Sequence, residues 1–177
     1  MGRKMRAVMK AAALLALVAV LVVPQVAIAD TSVEVVVTAT PEFISIDNSV
    51  ATFSAGVLTE GQVAQWDASS ASIVTNDGSV SVDISIQGTD MDNGTDTWDL
   101  AADGTAGSMT YAMRADSEES GVFGIIIKPS APDNLTDTLA TSALLTWSMD
   151  LTAPATYNHT TAAEMSGTVT LTASKSS

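Results

Sequence analysis

The stretch Ser79-Val80-Ser81-Val82-Asp83-Ile84-Ser85-Ile86-Gln87 decides the fold class. Val80, Val82, Ile84 and Ile86 occupy every second position, with serine, aspartate and glutamine between them. A period of two belongs to a pleated strand with one dry and one wet face, whereas a helix needs apolar residues every three or four positions. Just upstream, Ala71-Ser72-Ile73-Val74-Thr75 reads as a second strand. Asn76-Asp77-Gly78 joins the two, and its Asp-Gly pair can take the positive φ angles of a tight turn, so a hairpin is predicted.

Working outward, most other apolar stretches keep the same period. Val33, Val35 and Val37 alternate with Glu34 and Thr38, although Val36 breaks the polar face, and Pro41, having no amide proton for a ladder, ends or bends that strand. Shorter strands are expected at 43–46 and 51–54, and longer ones at 108–114, 122–128, 143–151 and 167–174. The connections 57–70 and 130–142 lack clean alternation and have room for a helical turn each. About nine short strands separated by Gly, Pro, Asn and Asp turns describe an all-β chain, a single antiparallel β-sandwich of immunoglobulin-like or jelly-roll-like kind.

The two ends differ in chemistry. Four of the seven basic residues (Arg3, Lys4, Arg6, Lys10) precede a 13-residue apolar run at 11–23, and Ala27-Ile28-Ala29 follows. A basic start, a short apolar helix and a small-residue site form a signal peptide, residues 1–29, with the sandwich domain at 30–177. The run falls short of the roughly 20 residues a spanning helix needs. The product is expected to be secreted, in the extracellular space or at the cell surface, with no membrane association after cleavage. It would keep Arg114, Lys128 and Lys175 against all 20 acidic residues, a formal charge of −17. Nucleic acid is excluded as a partner, since binding phosphates needs clustered Lys and Arg. There is no cysteine, so an exported fold here relies on burial alone.

The chemistry-bearing residues are few. The single histidine, His159, lies in a loop-like stretch, and no Gly-x-Ser-x-Gly elbow is present, so no enzyme is expected. Asp90, Asp92 and Asp96 around Gly94 offer alternate carboxylate oxygens of the kind calcium takes, although not at EF-hand spacing; the other reading is a solvated acidic loop. Sequons occur at Asn93, Asn134 and Asn158. Trp147 is in phase with Leu145, Met149 and Leu151 and belongs in the core. Trp66 and Trp98 lie near strand ends; exposed there, their rings would stack on sugars, and the other reading is partial burial at the sandwich rim.

Thr97-Trp98-Asp99-Leu100 contains a Trp-x-Leu, and Leu145-Thr146-Trp147-Ser148-Met149 followed by Pro154 resembles the second, C-terminal Trp-x-Leu motif of WxL-domain proteins. The resemblance spans roughly residues 70 to 154 and implies an exported protein held non-covalently at cell walls. The general layout is also similar to secreted fibre-forming proteins of the camelysin type and to prokaryotic pilus subunits. That likeness implies assembly by passing an N-terminal strand to a neighbour, and Val33, Val35 and Val37 stand where such a strand would be. The expected function is therefore structural: self-assembly into an extracellular fibre or coat, with a cell-wall or polysaccharide-binding module as the alternative.

Overall fold

Val82, Ile84 and Ile86 lose all contact with solvent while the residues between them stay partly exposed, so the alternation at 79–87 becomes a strand with a buried face. The computed structural model describes residues 38–50, 52–66, 71–118, 120–158 and 164–177. The expected signal peptide, Val33, Val35, Val37 and His159 lie outside the described residues. Thr40–Ser177 forms a compact unit of its own.

This unit is all-β, with no helix among the described residues. Its strands are β1 (Ile46–Asn48), β2 (Val63–Trp66), β3 (Ser72–Asn76), β4 (Val82–Gly88), β5 (Met91–Asp92), β6 (Thr97–Leu100), β7 (Thr110–Asp116), β8 (Ile125–Ile126), β9 (Asp133–Leu139), β10 (Leu144–Thr152) and β11 (Val169–Lys175). They form an eight-stranded sheet in the order β1-β3-β10-β7-β6-β5, with β2 on β10 and β8 on β7, and a three-stranded sheet β11-β4-β9. Both sheets feed one apolar core. Val82, Ile84 and Ile86 come from the small sheet, and Tyr111, Met113, Ala115, Trp147, Met149 and Leu151 from β7 and β10. Pairing is antiparallel except between β6 and β7, where Asp99 lies beside Thr110 and Leu100 beside Tyr111 in parallel. The connection turns twice, at 101–104 with Gly104 at φ 71° and at 107–110 with Met109 at φ 55°, so the chain enters β7 in the direction it left β6.

The 71–87 hairpin is not formed. β3 pairs with β1 and β10 in the large sheet, and β4 with β11 and β9 in the small one, so 77–81 carries the chain between sheets. Neither Asp77 nor Gly78 takes a positive φ. The turn is set instead by Asn76, which is fully buried. Its Nδ2 donates to the carbonyls of Val80 and Leu139, both at 2.9 Å, and its Oδ1 accepts the Gly78 amide at 3.0 Å. Gly78 is required by close approach, because a Cβ there would lie 2.8 Å from the Phe43 carbonyl.

The helical turns expected in 57–70 and 130–142 are strands instead, β2 and β9. Two bulges hide the alternation in β9: Val82 faces Leu139, Ile84 faces Thr136 and Ser85 faces Asn134, so β9 spends two extra residues over that span. Thr138, at φ 58°, absorbs one of these irregularities. Leu135 and Leu139 stay buried while Asp137 between them is exposed.

The outer face of the large sheet holds a cross-strand ion pair. Arg114 Nη2 lies 3.4 Å from Asp150 Oδ2, with side-chain exposures of 40 % and 5 %. Burial raises the Asp150 carboxyl above its usual range, and Arg114 only partly offsets this. At Asp116 burial pushes the same way, but amides of Glu118 and Gly121 and the Ser120 hydroxyl outweigh it and hold the carboxyl low. The two aspartates therefore act oppositely in acid. A raised folded pKa adds stability below the unfolded value and loses it as pH rises through the folded one, whereas a lowered pKa does the reverse. Asp150→Asn is expected to match the parent at low pH and to equal or exceed it at neutral pH. Arg114→Ala, which leaves a buried charge alone, is expected to lose about 1–3 kcal/mol at neutral pH and little in acid. Denaturant melts of both variants at pH 3.5 and 7 would check this.

Candidate assembly groove

Along one side of the core the two sheets do not close on each other. A cavity of about 1280 Å³ lies there, walled by β10, β7 and β11 and covered by Val50 and residues 52–58. Its aromatic lining is ordered. Phe53 stacks on Trp66 at 5.3 Å and 12°, and Trp66 meets Trp147 edge-on at 5.5 Å and 65°. Trp98 packs at 5.5 Å against Tyr157, whose hydroxyl donates to the Leu58 carbonyl at 3.2 Å and so holds the covering segment. Met91, Met113, Met149 and Met165 fill the space between these groups with flexible, polarizable side chains.

Trp147 is also fixed from the sheet edge. Its Nε1 donates to Asn48 Oδ1 at 3.2 Å, the same oxygen that accepts the Ser72 hydroxyl at 2.6 Å. Asn48 ends β1, an edge strand of the large sheet. Opposite it stands β11, an edge strand of the small sheet, and Ile46, Asn48, Val169, Thr170 and Leu171 line a second, smaller cavity of about 350 Å³ between them. The inward residues of β11, Val169, Leu171 and Ala173, are only half-buried. Lys175 Nζ, at the end of β11, pairs at 2.5 Å with Glu42 Oε2, which brings the start of the described unit to this seam.

Of the two readings for Trp66 and Trp98, exposed sugar platform or burial at the rim, the structure has burial: they are 6 % and 8 % exposed. Trp66 ends β2 and Trp98 lies within β6, and no local pattern indicates that Phe53 and Tyr157 cover them. The Trp-x-Leu tryptophans, Trp98 and Trp147, both line the large cavity.

The acidic loop lies beside the large cavity, whose wall includes Met91 and Trp98. Asp90 Oδ1 accepts the Leu100 amide at 2.7 Å and Asp92 Oδ1 accepts the Gly94 amide at 3.1 Å. Asn93 Oδ1 accepts the Thr95 and Asp96 amides. These oxygens serve the turn itself, and among the described residues no three acidic, histidine or cysteine side chains gather around one point. Asp90 also faces Tyr111, whose phenol is raised well above its usual value, mostly by burial and further by that charge, and which donates to the Thr89 carbonyl.

Neither the protein-family models nor the curated proteins compared with the chain match it.

Proposed function

We propose that the chain is an exported, non-enzymatic β-sandwich that assembles with copies of itself into a fibre or coat at the cell surface. One observation carries this reading. β11 offers a seven-residue edge with a ladder partner on one side only among the described strands, beside an apolar seam that its own sheet leaves open. Proteins that stay monomeric block such edges with lysines, prolines or bulges. Lys175 is the sole basic residue on this strand. An added strand gains ladder hydrogen bonds, and each valine it buries contributes about 1.5 kcal/mol or more. Association with a wall polymer through Trp66 and Trp98 ranks second, because both rings lie under cover.

Repulsion between subunits of formal charge −17 opposes assembly. Assembly should therefore strengthen with ionic strength, as the screening length falls from about 30 Å at 0.01 M to about 10 Å at 0.1 M. Light scattering and negative-stain microscopy across salt concentration test this. Growth of large particles is expected, with calcium more effective than sodium at matched ionic strength if Asp90, Asp92 and Asp96 take the ion. A protein that stays monomeric throughout would refute self-assembly.

A further inference from the structure

We infer that the large cavity is a ligand site and that its ligand is an amphiphile: an apolar chain carrying an uncharged, hydroxylated head, of the monoacylglycerol kind. The site lies beneath residues 52–58 and needs no second copy, so it stands apart from self-assembly.

Close-packed interiors leave few voids larger than a water molecule, whereas about 1280 Å³ exceeds even the roughly 300–1,000 Å³ of ordinary small-molecule sites. The lining changes in polarity with depth. Its floor, with Trp66, Trp98, Met113, Trp147, Met149 and Leu151, is buried. Its rim is exposed and polar, with Thr52 and Ser54 on the covering segment and Glu164, Ser166 and Thr168 on the stretch that leads into β11. Among the described lining residues Glu164 is the one charged side chain, and none is lysine, arginine or histidine. An anionic head would therefore meet a carboxylate with no cation to offset it, in a chain already strongly acidic. Hydroxyl groups on the head can instead bond the rim hydroxyls.

The floor also decides between a hydrocarbon chain and a peptide. It is built on β7 and β10, both interior strands of the large sheet. β10 is bonded to β3, β2 and β7, and β7 to β10, β6 and β8. Their backbone groups are thus taken, and a peptide laid on this floor would bury amides and carbonyls without ladder partners. Methylene groups need no such partners. Met91, Met113, Met149 and Met165 supply walls that adapt to the course of a chain. The cover is fastened near its two ends, where Asn48 Nδ2 donates to the Val50 carbonyl at 2.6 Å and the Tyr157 hydroxyl donates to the Leu58 carbonyl. Gly56, at φ 67° with open space where a side chain would stand, lies between these points. Entry requires movement of the segment between them only.

All three tryptophans of the chain line the cavity, which gives binding an intrinsic signal. The chain from Asp30, which contains the whole compact unit Thr40–Ser177, would be titrated at low salt with the neutral dye N-phenylnaphthylamine. Monoacylglycerols and fatty acids of equal chain length, below their micelle concentrations at neutral pH, would then compete with the dye. Saturable uptake with quenching of tryptophan emission is expected, and the monoacylglycerol should displace the dye about tenfold better than the fatty acid. Lengthening the chain from about eight to about twelve carbons should tighten binding about fourfold per methylene. Met165→Trp, which fills the rim, should block uptake and keep the parent melting temperature. Glu164→Lys, at an exposed position, should bring the fatty acid level with the monoacylglycerol or ahead of it. Absence of saturable uptake, or uptake that neither quenches tryptophan nor depends on chain length, would overturn the inference. Equal displacement by both heads from the parent protein would overturn the uncharged head. Uptake only in large particles would place the dye between copies and overturn the site while self-assembly stands. Light scattering on the same samples reads self-assembly separately, and its failure would leave the site untouched.

Discussion

Asn76→Ala is expected to lower stability by on the order of 4 kcal/mol, a large share of the roughly 5–15 kcal/mol that holds a domain of this kind together. The side chain is fully buried and bonds three backbone groups: the Val80 and Leu139 carbonyls and the Gly78 amide. Alanine would leave all three without that partner, at a cost of about 1–3 kcal/mol for each group that stays dry. The bond to Leu139 ties the end of β9 to the crossing that leaves β3, so the loss would loosen the junction of the two sheets. Asn76→Asp should be worse than alanine at neutral pH, because a carboxylate cannot donate and would face two carbonyl oxygens. Urea denaturation of the three proteins checks the order. A loss under about 1 kcal/mol for alanine would mean that water replaces the side chain.

Trp147→Ala should cost a comparable amount, about 3–5 kcal/mol, as truncation of a buried aromatic side chain generally does. Trp147 is 3 % exposed, touches Trp66 edge-on and reaches Asn48 through its indole nitrogen. Trp147→Phe separates the two contributions. It preserves much of the ring packing and removes the hydrogen bond, so a loss of about 1–2 kcal/mol is expected, together with faster amide exchange in β1. Thermal unfolding and hydrogen exchange on both variants test this. Equal losses for phenylalanine and alanine would assign the effect to the hydrogen bond rather than to packing.

The sequence makes individual strands legible more readily than their partners. Alternation at 82–88, 110–116, 144–152 and 169–175 reports which residues point inward, and Val82, Ile84, Ile86, Tyr111, Met113, Trp147 and Met149 are buried accordingly. Alternation carries no information on which sheet a strand joins. Asn76-Asp77-Gly78 has the composition of a hairpin turn, yet the distant Leu139 carbonyl captures the Asn76 side chain and the chain crosses to the other sheet. β9 was illegible because its bulges place Leu135 and Leu139 inward and leave Asp137 exposed. The groove was only partly legible. Val169 and Leu171 stand out by their alternation, but their position opposite Ile46 and Asn48 comes from a pairing order that no local pattern encodes. Phe53 stacks on Trp66 from a segment expected as a strand, which explains why a tryptophan near a strand end is covered.

Residue-resolved hydrogen exchange reads assembly through the β11 edge directly. Exchange at β11 would be compared between monomers at low salt and assembled material at high salt. The expected result is slowing of the amides of Val169, Leu171, Ala173 and Lys175 on assembly, with Thr170, Thr172 and Ser174, already bonded toward β4, changing much less. Particles that form while the odd-numbered amides exchange as fast as in the monomer would contradict it.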